Sequence, residues 1–174
     1  MKASPPYHGF MPLPDRIRIT EVGPRDGLQN ESEVVPTALK IDFINRLQRS
    51  GVAEVEVSGF VHPKWVPQLS DAVEVFEGIE RVAGVVRSAL VPNEQGWERA
   101  QAAGVDKISV FTAASDAFTQ KNINCSIDES LARFAPVVRS AAAANVPVRG
   151  YVSCAVCCPY AGPIEPERVA EDVH

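Results

Sequence analysis

Short apolar runs alternate with longer amphipathic runs along this chain, and that alternation constrains the fold most strongly. The apolar runs predict five strands, at residues 17–22, 53–57, 85–91, 107–111 and 148–153. Helical spacing of apolar residues, with polar starts and glycine stops, predicts helices at residues 36–50, 70–79, 94–103 and 128–145, with Ser70 as the cap of the second. Five strand-then-helix units without a hairpin signal predict an α/β fold with parallel strands and right-handed crossovers. The apolar strands suit burial on both faces of the sheet.

Composition narrows the class of protein further. The chain is 45% hydrophobic and 22% charged with a net charge of −5, so it offers no basic surface for nucleic acid. No apolar stretch is long enough to span a bilayer, which predicts no membrane association. Residues 1–16 lack the apolar core of a signal peptide and the Arg/Ser richness of a transit peptide. We therefore expect a loose N-terminal arm and a cytoplasmic protein.

A polar cluster follows the first predicted strand. Residues 21–31 contain an acid, a cation, a second acid and an amide, namely Glu21, Arg25, Asp26 and Gln29. An arginine can hold an anion and an aspartate can hold a metal ion. The carboxyl ends of strands converge on the active site of a barrel, so these residues and Glu56 on the second strand are candidates by position. The alternative is a turn decorated with ordinary solvated charges.

The cysteines and histidines do not form a recognisable metal site. Three of the four cysteines crowd together after the fifth predicted strand, unlike the scattered framework of a secreted disulfide domain. The Cys154 and Cys157 spacing has no second pair or histidine to complete a zinc site, so reduced, packed thiols are the better interpretation. Neither His62 nor His174 has the paired spacing that a metal needs. The four cysteines are Cys125, Cys154, Cys157 and Cys158.

Residues 21–31 closely resemble the first strand-loop of the hydroxymethylglutaryl-CoA lyases. That family belongs to a metal-dependent lyase and synthase superfamily built on a TIM barrel, and its motif has an Arg-Asp-Gly-x-Gln core. Residues 58–68 and 121–126 resemble the family's second and fourth strand-loops, and residues 148–155 resemble its fifth strand. The blocks occur in the family's order, and the resemblance runs from about Ile17 to the end of the chain.

The resemblance implies a TIM (β/α)8 barrel of which this chain holds about the first five units. Such barrels need about 250 residues, whereas this chain has 174, so we expect residues 17–174 to be an N-terminal portion of the catalytic domain. The family's His-x-His metal pair, its ligating asparagine and its catalytic cysteine loop belong to later strands. Residues 158–160 resemble part of the family's catalytic cysteine loop, but they follow the fifth strand and not the seventh, so no catalytic role is assigned to Cys158. Unpaired edges predict that the portion needs a partner or forms a homo-oligomer.

The resemblance also implies a function. It predicts metal-dependent cleavage of 3-hydroxy-3-methylglutaryl-CoA to acetyl-CoA and acetoacetate, the chemistry of leucine degradation and ketone-body formation, with Mg²⁺ or Mn²⁺ as cofactor and an acyl-CoA as partner. The resemblance implies that Asp26 is a metal ligand, that Arg25 contacts the substrate and stabilises the enolate, and that Glu56 is an active-site glutamate. It implies that Glu21 and Gln29 support the loop and that Gln29 also contacts the substrate. Lys121 and Asn122 are implied to lie near the CoA moiety.

Several alternatives stay open at this point. Glu21 and Glu56 can instead be interior carboxylates paired with Arg25 or Arg149, and a lysine in an Asn-rich loop such as Lys121 is usually just solvated. Gly59 departs from the serine of the animal enzymes. The whole protein can also be an isopropylmalate- or homocitrate-type synthase, or a non-enzymatic fragment. Asp26 alone cannot hold a divalent ion usefully, so we expect the 174-residue chain alone to be almost inactive.

Overall fold

The computed structural model describes residues 14–171, so the predicted arm, except for its last three residues, and the last three residues of the chain lie outside the described part. Five parallel strands form one sheet in chain order. They are β1 (Thr20–Glu21), β2 (Glu54–Gly59), β3 (Val86–Leu90), β4 (Lys107–Ala113) and β5 (Val148–Ser153). This order confirms the predicted parallel α/β arrangement.

Helices connect the strands and follow the last one. They are α1 (Thr37–Arg49), α2 (Ala72–Gly78), α3 (Glu94–Ala102), α4 (Asp116–Ile123), α5 (Ile127–Ala143) and α6 (Pro166–Glu171). The starts of α3 and α5 follow sequence rules, since Asn93 accepts from the Gly96 amide and Ser126 and Glu129 form a capping box. Ser70 does not cap α2 as predicted. The helix begins two residues later, after Asp71, whose carboxylate binds Lys40 and Thr37 at 2.7 Å each.

The two faces of the sheet differ in character. One face packs against the helices and forms the hydrophobic core, with strand residues such as Val55, Val57, Ala89, Ile108 and Val110. Successive side chains on a strand point to opposite faces, so the other face carries Glu54, Glu56, Ser88, Lys107, Ser109 and Arg149. Both faces of β2, β3 and β4 are largely buried, as predicted, although polar side chains line the second face. The second face is polar, and it is the face from which the candidate site is built.

The first strand is shorter than predicted. Only Thr20 and Glu21 pair with β2, because β2 itself begins at Glu54 and offers no partner to earlier residues. The side chains of Ile17 and Ile19 are accordingly 81% and 64% exposed. Alternation of apolar residues therefore identified the strand correctly but overestimated its length, since a strand needs a neighbour as well as a pattern.

Two elements escaped the sequence analysis. The helix α4 occupies a segment for which the sequence predicts an Asn-rich loop, and its only fully buried residue is Thr119, so it shows no apolar stripe. An antiparallel hairpin of β6 (Cys157–Cys158) and β7 (Gly162–Pro163) follows β5. It pairs through only two residues on each side. Strands this short carry no alternating pattern for a sequence to reveal.

The cysteines are free thiols in the structure, but they are not uniformly packed as predicted. Cys125 and Cys158 are buried, Cys154 is intermediate and Cys157 is exposed. The hairpin turns Cys157 outward because neighbouring strand residues face opposite sides. Between residues 14 and 171, the structure has no helix that is long and apolar enough to cross a membrane.

Candidate active site

A single π-helical turn, Gly23–Gly27, presents the predicted cationic and acidic residues at the carboxyl end of β1. The amides of Asp26 and Gly27 both reach back to the Val22 carbonyl, at 2.7 and 3.4 Å. Pro24 fits the first positions of the turn because its missing N–H needs no partner there. Turns of this kind are rare and are found frequently at functional sites. The Gly/Pro-containing string thus shapes the backbone that holds Arg25.

The structure brings two further predicted residues, Glu56 and Asp26, into contact with the Arg25 guanidinium. Arg25 Nε donates to Glu56 Oε2 at 2.9 Å, and Arg25 Nη2 lies 2.9 Å from the same oxygen. Arg25 Nη1 donates to Asp26 Oδ1 at 2.7 Å. The Glu56 side chain is fully buried, the Arg25 side chain is 13% exposed and the Asp26 side chain is 55% exposed. The cation is therefore fixed between one buried and one solvent-facing carboxylate.

Pairing of Glu56 with Arg25 agrees with the ion-pair alternative drawn from the sequence, but Glu21 behaves differently. Glu21 Oε1 accepts from the Gly23 amide at 2.6 Å and so holds the start of the π-helical turn. Gln29 lies just after that turn and is partly buried. Among the described residues, Glu56 Oε1 and Gln29 Oε1 are buried acceptors without a hydrogen-bond partner. Such orphaned oxygens are costly unless something donates to them.

The metal prediction rests on Asp26. Its exposed carboxylate uses Oδ1 to accept from Arg25, which leaves Oδ2 as an oxygen ligand of the kind that Mg²⁺ or Mn²⁺ takes. Within residues 14–171, no group of three or more His, Cys, Asp or Glu side chains is placed to hold a metal ion. His62 accepts from the Lys64 amide at 3.2 Å through Nδ1. Asp26 therefore fits the role of one ligand, and the set around it is incomplete.

Lys121 and Asn122 lie on α4, and the interpretation of this segment as an Asn-rich loop is wrong. Both residues are exposed. Lys121 Nζ lies 4.2 Å from the centroid of the Tyr160 ring, so a cation–π contact holds it against the hairpin. Its position follows β4, at the same end of the sheet as the π-helical turn after β1. No hydrogen bond or ion pair in the described part of the chain joins it to Arg25.

A second charged cluster was missed by sequence reasoning. Glu54 is fully buried at the start of β2, and its carboxylate lies 3.1 Å from Lys107 Nζ, 3.1 Å from Arg149 Nη1 and 4.0 Å from Arg18 Nη1. Arg149 Nη2 also donates a hydrogen bond to Glu54 Oε2 at 3.3 Å, and Arg149 Nη1 donates one to Thr20 Oγ1 at 2.8 Å. The sequence offers Arg149 as a partner of Glu21 or Glu56, but in the structure it binds Glu54.

The signal for this cluster was present in the strand pattern. Glu54 and Glu56 alternate with Val55 and Val57, which places both carboxylates on one face of β2. Two acids on the interior face of a buried strand require cations from neighbouring strands, because an unpaired buried charge is very costly. Glu54 lies at the amino end of the strand, away from the carboxyl-end site. We therefore interpret the Glu54 cluster as support for the polar face.

Comparisons with known proteins identify relatives of this chain. A family model described as HMGL-like matches residues 16–174. The human cytoplasmic 3-hydroxy-3-methylglutaryl-CoA lyase is 55% identical over 159 residues, which cover 91% of this chain and 43% of the human protein. The mitochondrial hydroxymethylglutaryl-CoA lyase of Gallus gallus is 53% identical, with 91% of this chain and 53% of the chicken protein covered. Both cytoplasmic and mitochondrial relatives thus resemble it.

Solved structures agree with the sequence comparisons. The HMG-CoA lyase of Brucella melitensis superimposes with a TM-score of 0.88 and 52% identity, covering 90% of this chain and 56% of that one. An Acinetobacter baumannii HMG-CoA lyase in complex with coenzyme A and 3-methylmalate gives a TM-score of 0.84 at 35% identity, covering 88% and 50%. The five parallel strands therefore form part of a TIM barrel, as predicted. The chain spans about half the length of the relatives it matches.

Proposed function

The chain belongs to the HMGL-like family, and on that premise we propose that the whole protein is a 3-hydroxy-3-methylglutaryl-CoA lyase. It would cleave its substrate to acetyl-CoA and acetoacetate with a divalent cation, Mg²⁺ or Mn²⁺, and act on an acyl-CoA in the cytoplasm. The observation that carries the proposal is the fixed Arg25 guanidinium at the carboxyl end of β1, between Glu56 and Asp26. A preorganised cation at that edge suits a reaction that develops negative charge.

The reaction sets the requirements for the site. Cleavage breaks the bond between C2 and C3 of the 3-hydroxy-3-methylglutaryl group. The hydroxyl loses its proton, the O–H electron pair forms the ketone of acetoacetate, and the C–C electron pair moves onto the thioester as an enolate. Protonation of that enolate at carbon gives acetyl-CoA. The site must therefore take one proton from oxygen, stabilise one oxyanion and return one proton to carbon.

Arg25 is the residue we assign to the oxyanion. It donates hydrogen bonds from Nε to Glu56 and from Nη1 to Asp26, and its Nη2 lies at ion-pair distance from Glu56, so N–H bonds on both terminal nitrogens are left for substrate. Removing a single oxyanion donor typically lowers kcat by about 100- to 1,000-fold. Because the guanidinium is already oriented by two carboxylates, little reorganisation is needed when charge develops. Gln29, with its orphaned amide oxygen, is proposed to contact the substrate beside it.

Glu56 supports this arrangement as a positioning residue. Both of its oxygens are shielded from solvent, and one of them accepts from Arg25. A carboxylate in that setting holds the guanidinium in place and is poorly placed to meet a substrate directly. Asp26 would contribute one oxygen ligand to the divalent cation. When bound, such a cation lowers the pKa of a coordinated hydroxyl and fixes the substrate oxygens.

The decisive experiment begins with the intact mass of the protein isolated from its source. A mass of about 28 kDa or more, which is a barrel of at least about 250 residues at roughly 110 Da per residue, supports a complete enzyme in which this chain is one part. That protein should release acetoacetate from 3-hydroxy-3-methylglutaryl-CoA with Mg²⁺ or Mn²⁺, and EDTA should abolish the release. Thioester condensation without cleavage would instead support a synthase.

The 174-residue chain alone provides the matched comparison. We expect it to bind metal weakly and to turn over little or no substrate, because Asp26 is a lone ligand within the described residues. Metal-dependent cleavage by this chain at the rate of the longer protein would contradict the incomplete-site interpretation. A native mass near 18.8 kDa with no cleavage activity would favour a non-enzymatic fragment.

A further inference from the structure

A buried lysine, Lys40, lies on α1, and the proposed reaction does not use it. Its side chain is only 4% exposed. A charge removed from water to this extent is costly unless it is paired and hydrogen-bonded. Lys40 meets that requirement, because its Nζ donates to Asp71 Oδ1 at 2.7 Å and to the backbone carbonyl of Gln68. The lysine therefore joins α1 to the segment between β2 and α2.

Asp71 holds the lysine in place. Its second carboxylate oxygen, Oδ2, accepts from Thr37 Oγ1 at 2.7 Å, so both oxygens bind side chains of α1. Thr37 is the first residue of α1, and Asp71 immediately precedes α2. The Asp71 side chain is 18% exposed, so solvent screens this ion pair only weakly. The pair therefore presents the lysine ammonium to the Gln68 carbonyl in a fixed position.

Gln68 extends this connection to the candidate active site. Its backbone carbonyl accepts from Lys40, and its side-chain Nε2 donates to the Glu31 carbonyl at 2.8 Å. Gln68 belongs to a short 3-10 turn, Pro67–Leu69, and is partly buried. The Gln68 side chain therefore joins the loop that follows β2 to the loop that follows β1.

Hydrogen bonds also connect the Glu31 segment to the π-helical turn. Asn30 Nδ2 donates to the Asp26 carbonyl at 2.7 Å, and the Asn30 amide donates to the Gly27 carbonyl at 3.1 Å. Residues 30–34 are exposed, so packing in the core contributes little to their position. The position of this segment, and of the turn bonded to it, therefore depends on the contact that Gln68 makes with Glu31.

We propose that Lys40 is a positioning residue for the candidate active site. Acting through Gln68, it holds the segment that follows the π-helical turn, and that segment in turn holds the turn itself. The turn carries Arg25 and Asp26, and a displacement of about 1 Å at such groups can lower a rate by about 100-fold. The catalytic consequence rests on the proposed lyase function, whereas the connection between the two loops does not.

The test compares the variants K40M and Q68M with the wild type at native length. K40M keeps an unbranched side chain and removes both hydrogen bonds of the ammonium, whereas Q68M removes only the bond to Glu31. Hydrogen–deuterium exchange with mass spectrometry measures the amides of residues 22–31. We expect exchange there to become about three- to tenfold faster in both variants, because the local opening loses a bond that opposes it.

Steady-state cleavage of 3-hydroxy-3-methylglutaryl-CoA separates positioning from stability. We expect K40M to lower kcat by about 10- to 100-fold and to change KM by less than about twofold, since a displaced guanidinium weakens transition-state binding most. R87M is the matched control, because it removes a cation that is 3% exposed and pairs with Asp106, just before β4 at the amino end of the sheet. R87M should lower the free energy of unfolding as K40M does, while kcat and the exchange of residues 22–31 stay at their wild-type values.

Two results would overturn the proposal. One is exchange of residues 22–31 that stays at the wild-type rate in K40M and Q68M. The other is an R87M variant that accelerates this exchange as much as K40M does, which would make the effect one of global stability. If K40M does not fold, Q68M decides by the same criteria, since Gln68 is only partly buried. A wild type that cleaves no substrate would overturn the proposed function, and the exchange comparison would still decide whether Lys40 holds the turn.

Discussion

Arg25 and Glu56 lie 31 residues apart in sequence, yet their side chains meet in an ion pair in which Glu56 Oε2 accepts from Arg25 Nε at 2.9 Å. Glu56 is fully buried, whereas Arg25 keeps 13% of its side chain exposed. The pair joins the π-helical turn after β1 to the second strand, β2. It makes the orientation of the guanidinium a property of the fold, since the buried partner cannot move without disturbing β2.

The first prediction concerns this buried carboxylate. E56Q removes the charge that holds Arg25 and preserves the side-chain volume. We expect the free energy of unfolding of the native-length protein to fall by roughly 1–3 kcal/mol, as for a hydrogen bond to a charged group. Urea denaturation measures this, and E33Q, at an exposed glutamate, provides the control with a change within about 0.5 kcal/mol. Equal effects in both variants would show that the pair contributes nothing to stability.

The second prediction separates ligation from stability at Asp26. Because its side chain is 55% exposed, D26N should change the free energy of unfolding by less than about 0.5 kcal/mol. The same variant should weaken Mn²⁺ binding to the native-length protein by at least about tenfold, since an amide oxygen replaces a charged ligand. Electron paramagnetic resonance of free Mn²⁺ measures the affinity. Undiminished Mn²⁺ binding by D26N would remove Asp26 from the metal site.

The proximity of Arg25 and Asp26 could be predicted because both residues stand in one continuous string. Arg25 and Asp26 share a turn, so their proximity needs no tertiary information, and the alternation in β2 places Glu56 on the same polar face as Glu54. The π-helical turn itself was not predictable, because no residue pattern distinguishes it from an ordinary loop. The pairing of Arg149 with Glu54 was also beyond the sequence, since register between non-adjacent strands depends on tertiary packing.

The elements that escaped prediction share a physical cause. The helix α4 has one fully buried residue, and the β6–β7 hairpin has two pairs of residues, so neither carries a hydrophobic period. Their positions depend on capping and on contacts with each other, including the stacking of Lys121 on Tyr160. Strands β3 and β5 were located almost to the residue, at Val86–Leu90 and Val148–Ser153.

The third prediction uses that stacking and rests on the proposed proximity of Lys121 to the CoA moiety. The ammonium lies 4.2 Å from the Tyr160 ring centroid, and a partly exposed contact of this kind contributes about 0.5–1 kcal/mol. We expect Y160L to raise KM for the acyl-CoA by about two- to fivefold with kcat unchanged, and Y160F to match the wild type. Steady-state kinetics of the native-length protein measures both. If Y160F raises KM as much as Y160L, the aromatic face has no role.

The last prediction concerns acid stability through Asp106. Burial acts to raise the pKa of this carboxyl, but the hydrogen bonds and charge of Arg87 outweigh it and hold the pKa below its usual value of 3.8. Arg87 Nη2 lies 2.6 Å from Asp106 Oδ1, and the arginine side chain is only 3% exposed. A lowered folded-state pKa stabilises the protein above the unfolded-state pKa, and that stabilisation disappears as pH falls through the folded-state value.

D106N should therefore be less stable than wild type at pH 7, by roughly 1–2 kcal/mol after allowance for solvent screening at a carboxyl that is one-third exposed. The difference between the two unfolding free energies should shrink steadily as pH is lowered below about 4, where the aspartate gains its proton. Urea denaturation of both proteins across that range gives the difference curve, and a difference that stays constant with pH would show that the Arg87 contact does not depend on the Asp106 charge.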